Sequence, residues 1–97
     1  MKFEWNTAKE KSNIKKHKVS FEQAAYVFND IHSLSLYDNE HSEDEDRWIL
    51  LGKSINEIIL VVVHTFRGKD GIEIVRIISA RHATKNEVIV YEERCKK

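Results

Sequence analysis

Two stretches of the chain hold residues able to handle a phosphodiester. Lys11, Lys16 and His17 lie in a lysine-studded segment near the N-terminus, and Arg67, Arg76 and Arg81 lie further on, where apolar runs alternate with charge. A guanidinium grips phosphate through a planar fork, and an imidazole donates or accepts a proton near neutral pH. Set side by side, these groups are what metal-free cleavage of RNA requires: activation of the ribose 2′-hydroxyl, stabilisation of charge on the phosphorane and protonation of the departing 5′-oxygen. DNA lacks the 2′-hydroxyl and would be bound without being cut in this way. The same residues also admit a structural reading. Arg67 and Arg76 could pair with Glu57, Glu73 or the acidic loop, and His17 could simply close a helix against its dipole. Residue chemistry alone leaves both open.

The elements that would position these groups centre on Ile58 to Arg81, which reads IILVVVHTF, RGKDG, then IEIVRIISAR. The first run is apolar and β-branched, as expected of an interior strand with both faces covered. The second returns antiparallel through a turn in which Gly68 or Gly71 supplies positive φ. If the period of two holds without a bulge, Arg76 and Arg81 leave this strand on opposite faces.

Upstream, Phe3 and Trp5 alternate with charged residues, which suits a short edge strand or an extended lead-in. Thr7 and Glu10 have capping-box spacing and predict a helix from near Asn6 or Thr7 to about His17, exposing much and burying little, with only Ala8 and Ile14 as apolar interior residues. Ser20 and Gln23 repeat the spacing, and Phe21, Ala24, Ala25 and Phe28 make the apolar stripe of a second helix. Strands are predicted over 33–37, 47–55, 58–66 and 72–81, joined as a meander. Thr84 and Glu87 start a last helix with Val88, Tyr91 and Cys95 on one face. The expectation is an α+β fold of two N-terminal helices, a four-stranded, mainly antiparallel sheet and a C-terminal helix, in one domain spanning 1–97.

Composition narrows the classes. At 97 residues, 41% hydrophobic and 33% charged, the chain reads as a soluble globular protein, with no signal peptide or membrane span, and is expected in the cytoplasm. The formal charge is zero but divided: residues 9–18 carry +4 and residues 38–46 carry −6. The single cysteine, Cys95, excludes an internal disulfide and a Cys-based zinc knuckle, and is read as a buried-face residue. There is no Gly-rich phosphate loop and no His-Glu-x-x-His; His32 and His41 lack ligand spacing, so no metal or cofactor is expected. Trp48, Tyr26 and Phe66 are read as core rather than as base-stacking platforms.

Several longer patterns occur together: Lys-His-x-Val-x-Phe at 16–21, Glu45-x-Arg47 ahead of Gly52, and Arg76-x-x-Ser79-Ala80-Arg81-x-Ala83 continuing to Glu87 and Tyr91. With these, residues 3–93 resemble the BrnT toxins of bacterial type II toxin-antitoxin systems. The resemblance implies a fold similar to RelE-type ribonucleases, RNA cleavage that inhibits translation, and a ribbon-helix-helix antitoxin. It also implies a toxin-antitoxin heterotetramer that contacts operator DNA through the antitoxin. The implied active face comprises His17, Arg67, Arg76 and Arg81 as catalytic residues, with Lys11, Lys16, Lys18 and Tyr91 contacting RNA, Tyr91 being alternatively core. The family corner usually reads Lys-His-Gly, whereas Lys18 stands here; if that position needs positive φ, Lys18 costs about 1 kcal/mol. The alternatives are a non-catalytic member of such a repressor complex and a plain nucleic-acid-binding domain.

Overall fold

The computed structural model describes residues 1–96. In chain order the elements are β1 (Lys2–Glu4), α1 (Thr7–His17), α2 (Phe21–Tyr26) with a 3-10 turn at Val27–Asn29, β2 (Leu34–Tyr37), β3 (Trp48–Lys53), β4 (Ile59–Lys69), β5 (Ile72–His82) and α3 (Lys85–Cys95). The strands form one sheet in the order β1-β5-β4-β3-β2. Strands β2 to β5 make the expected antiparallel meander. The expected four-stranded sheet is nevertheless incomplete, because β1 adds a fifth strand parallel to β5, pairing Lys2 with Ile74, Phe3 with Val75 and Glu4 with Arg76. Phe3 secures it by packing edge-on against Phe28, ring centroids 5.2 Å apart.

Local chemistry sets the helix starts. The Asn6 side chain caps α1 by accepting the Lys9 N–H at 3.0 Å, one residue ahead of the expected Thr7. Both other capping boxes form as their spacing predicts, Ser20 with Gln23 and Thr84 with Glu87. The β4–β5 turn falls on Asp70 and Gly71, both with positive φ as a two-residue hairpin turn requires. Gly68, the other candidate, lies within β4 opposite Glu73. Gly52 is needed for close approach: a Cβ there would sit 2.8 Å from Val27 Cγ1 and 3.0 Å from Ser33 Cβ.

Helices α1 and α2 cover one face of the sheet. Val19, Phe21, Ala24 and Val27 bury themselves against Leu50, Leu60, Val62, Val75, Ile77 and Ala80. On the other face α3 lays Tyr91 over Leu51 and Val61. Three placements differ from expectation. Cys95 is exposed. Tyr26, the last residue of α2, and Phe66 are also exposed, although Phe66 still packs edge-on with Trp48 and His64. Helix α1 is the expected surface helix: its apolar Ile14 is 42% exposed, while the polar neighbour Asn13 is buried.

Asn13 is inward because β1 stops at Glu4 and leaves the far part of the β5 edge without a partner strand. Asn13 Nδ2 donates to the carbonyls of Ala80 at 2.8 Å and Val19 at 2.9 Å, and Oδ1 accepts the Ala80 N–H at 3.1 Å. One amide thus completes an open strand edge and ties the α1–α2 corner to it.

Candidate active site

Of the sequence-predicted groups, His17 and Lys16 line a hollow at the β5 edge beside that corner, and none of Arg67, Arg76 and Arg81 is among its lining residues. Val63 pairs with Ser79 but the next residue, His64, pairs with Ile77, so Ile78 is an extra residue, a β-bulge. The bulge breaks the period of two. Arg76 opposes Thr65 and Arg81 opposes Val61, two positions of the same parity on β4. The two arginines therefore share the face that α3 partly covers, instead of lying on opposite faces. Arg67 has that parity too and joins them.

At the bulge, α1 and β5 enclose a shallow hollow of about 220 Å³ lined by Lys9, Ser12, Asn13, Lys16, His17, Ile78 and Ser79. Two of the expected residues, Lys16 and His17, line it. Lys11 and Lys18 are exposed outside its lining. Lys9 and Ser12 were not singled out in the sequence, yet with Asn13, Lys16 and His17 they follow the i, i+3, i+4, i+7, i+8 spacing of one helical face. That spacing is the signal that would have found them. Lys18 closes α1 in the left-handed conformation, φ 61° and ψ 30°, its N–H donating to the Ile14 carbonyl at 2.8 Å. A glycine at this position would meet no steric penalty.

The arginines are held in two ways. Arg81 forks onto Glu87 at 2.8 and 3.0 Å and donates to the His82 carbonyl at 3.2 Å. The Arg81 fork holds the Glu87 carboxyl down at about 2, aided by hydrogen bonds from Thr84 and opposed by burial. In return, Glu87 raises the Arg81 guanidinium. Three of the five guanidinium N–H groups are thereby used, leaving two. Arg67 and Arg76 instead approach a single carboxylate, Glu4 Oε1, at 3.7 Å each, too far for hydrogen bonds. Their structural partner is thus Glu4, and not the expected Glu57, Glu73 or acidic loop.

Tyr91, counted among the RNA contacts with a core role as the alternative, is 2% exposed and takes the core place. Its hydroxyl donates to Asp30 Oδ2 at 2.5 Å. Burial and that bond push the phenol up. Burial would also raise Asp30, but donation from Tyr91, Lys53 N–H and His32 N–H outweighs it and holds the carboxyl below its ordinary range. Among the described residues, no group of three His, Cys, Asp or Glu side chains is placed to hold a metal ion, and no helix is long and apolar enough to cross a membrane.

The family model of the BrnT ribonuclease toxin of type II toxin-antitoxin systems matches residues 5–87. The chain belongs to the BrnT family. A type II system pairs its toxin with a protein antitoxin, so membership implies such a partner. The crystal structure of the Brucella abortus ribonuclease toxin BrnT superposes with a TM-score of 0.62, covering 88% of this chain and 99% of that one at 23% identity. At that identity the likeness speaks for the fold: an α+β protein with a BrnT-like arrangement of helices on a five-stranded mixed sheet. No curated protein sequence matches the chain. The BrnT match ends at Glu87, the residue that holds Arg81.

Proposed function

We propose that this BrnT-family chain is a metal-independent endoribonuclease that cuts RNA by attack of a ribose 2′-hydroxyl on the adjacent phosphate and so inhibits translation. The observation that carries the reading is the bulge at Ile78. It sets Arg76 and Arg81 on one face of β5, flanking along the strand the two residues, Ile78 and Ser79, that line the hollow together with His17 and Lys16 of α1. At ~3.3 Å of rise per residue, each arginine is only two or three residues from Ile78 and Ser79 along the strand, within reach of a long side chain.

In this mechanism the 2′-oxygen bonds to phosphorus and the bond to the 5′-oxygen breaks. Arg76 and Arg81 bind the non-bridging oxygens, Arg67 supports Arg76, and Lys16 with Lys9 stabilises the phosphorane charge. His17 protonates the departing 5′-oxygen, and the 2′-hydroxyl proton passes to water. Glu87 is unsuited to take it, since a carboxyl held at about 2 is a weak base. Glu45 is also unsuited, because it lies in the loop between β2 and β3, at the other side of the sheet. Lys11 and Lys18 contribute to the positive surface that attracts RNA.

The partner in this reading is a ribbon-helix-helix antitoxin, in a heterotetramer that meets operator DNA through the antitoxin, in the cytoplasm. The test is incubation of antitoxin-free protein with labelled RNA in excess chelator. The expected products end in 2′,3′-cyclic phosphate, and His17→Ala and Arg81→Ala each slow cleavage by about 10²-fold or more. Cleavage that requires a metal ion, or variants that cut at the parental rate, would overturn the mechanism.

A further inference from the structure

Among the described residues, two buried side-chain polar atoms have no hydrogen-bond partner: Arg47 Nε and Thr65 Oγ1. They are neighbours. Trp48 pairs with His64, so the next positions along the two strands set Arg47 opposite Thr65, and Thr65 in turn pairs with Arg76, which pairs with Glu4. Thr65, Arg76 and Glu4 thus form one row across β4, β5 and β1, which Arg47, the residue just before β3, extends, with Arg67 two residues beyond Thr65 on the same face. Arg81 and Arg94 donate hydrogen bonds to the protein, whereas among the described residues the guanidiniums of Arg47, Arg67 and Arg76 donate none.

A buried hydroxyl and a buried guanidinium N–H both lack an acceptor in this row, and the group that accepts several donors at once is an anionic oxygen. We propose that Arg47, Thr65 and Arg67 form a second phosphate subsite that holds the backbone phosphate next to the scissile one, with Arg76 at the boundary between the two. The proposal rests on the nuclease reading for the identity of its ligand. Glu4, bound to neither arginine at hydrogen-bond distance, is the group a phosphate would displace. The subsite is also bounded. Arg47 borders a hollow of about 330 Å³ otherwise lined by Glu40, His41, Glu43, Asp44 and Glu45, and these carboxylates repel a further phosphate. Two strand spacings, ~10 Å, separate β3 from β5, so the groove accommodates a short stretch of RNA.

The test uses 2′-O-methyl oligonucleotides, which lack the attacking hydroxyl and are bound without being cut. Arg47→Ala should weaken a tetranucleotide about tenfold and lower the salt slope of its binding by ~0.7, while leaving a dinucleotide within about twofold. Thr65→Val should weaken the tetranucleotide by a smaller factor and Thr65→Ser should restore it. On cleavable RNA, Arg47→Ala should raise KM with kcat unchanged. Parental tetranucleotide affinity in Arg47→Ala, or equal weakening of both oligonucleotides, overturns the subsite. Parent protein that binds the tetranucleotide through Arg47 but leaves RNA intact would sink the nuclease reading and keep the subsite. Cleavage that depends on His17 and ignores Arg47 would do the reverse.

Discussion

The two faces of the sheet are finished to different degrees. Under α1 and α2 the apolar side chains of Val62, Val75, Ile77 and Ala80 meet those of Val19, Phe21, Ala24 and Val27, and the buried Asn13 makes three hydrogen bonds. On the opposite face α3 covers only the part around Leu51 and Val61. The rest carries Arg67 and Arg76 in loose contact with one carboxylate, and a threonine hydroxyl with no partner. A protein that only needed to fold would have satisfied or replaced those groups. Their incompleteness is therefore read as room left for a ligand, and phosphate binding by the arginines should separate from stability by face, with His17 and Lys16 acting from the end of α1 at the β5 edge.

The largest test of that separation is Phe21→Ala. Phe21 is fully buried at the centre of the helix-side core, and its removal should cost about 3–5 kcal/mol, seen as a lower urea midpoint. Cleavage per folded molecule should be unchanged. Arg76→Ala is the converse: its contact with Glu4 is long and partly exposed, so stability should move by less than about 0.5 kcal/mol while cleavage falls. A large stability loss in Arg76→Ala would erase the distinction between the faces.

Asn13→Ala comes next and probes the seam between them. It leaves the Ala80 N–H and two carbonyls without partners in a buried place, and should cost about 2–3 kcal/mol in the same urea measurement. Because Asn13 also lines the hollow, the loosened corner should slow cleavage as well, unlike Phe21→Ala.

What the sequence revealed follows the same division between local and non-local causes. Ser20 with Gln23 and Thr84 with Glu87 were legible as caps because all their partners lie within four residues. A hairpin between β4 and β5 was legible from its glycines because such a turn demands positive φ, although that demand leaves the choice between Gly68 and Gly71 open, and the turn falls on Gly71. The parallel pairing of β1 was not, since a three-residue strand carries no local mark of a partner about seventy residues away. Neither was the bulge, which exists only in the register between β4 and β5, and with it went the true relation of Arg76 to Arg81. Asn13 was hidden for a related reason: a polar residue becomes an inward one only once an unpaired strand edge is there to receive it. The residue types of the candidate site could thus be named from the sequence, while their shared face could not.

Glu87 gives a smaller effect with a defined pH dependence. Its carboxyl is depressed from the ordinary 4.5 to about 2, so the ion pair stabilises the fold fully above about pH 4.5 and the contribution is lost as pH falls through about 2. Both side chains are partly solvated, and allowing for screening the contribution is about 1 kcal/mol. Glu87→Gln should therefore lower stability by that amount at neutral pH and match the parent near pH 2 in acid-unfolding curves. Arg81, freed from its fork, should also hold phosphate in a less defined orientation, so the variant should lose more in rate than in stability. If the losses are equal, Arg81 belongs with the structural face.

Lys18 is the smallest case and the one in which the two demands meet at a single residue. Its backbone occupies the left-handed region at the end of α1, where a side chain with a Cβ is disfavoured and glycine is not. Lys18→Gly should therefore stabilise the fold by about 0.5–1 kcal/mol and raise the thermal midpoint by a few degrees, about 3–5 °C for a domain of this size. The same change removes one positive charge beside the hollow and should weaken RNA binding slightly, more at low salt than at high salt. Lys18→Asn separates the two causes: asparagine tolerates the left-handed conformation better than lysine does but carries no charge, so it should recover part of the stability and lose all of the electrostatic gain. Were glycine to stabilise the protein without any effect on RNA affinity, Lys18 would be a backbone defect with no compensating role.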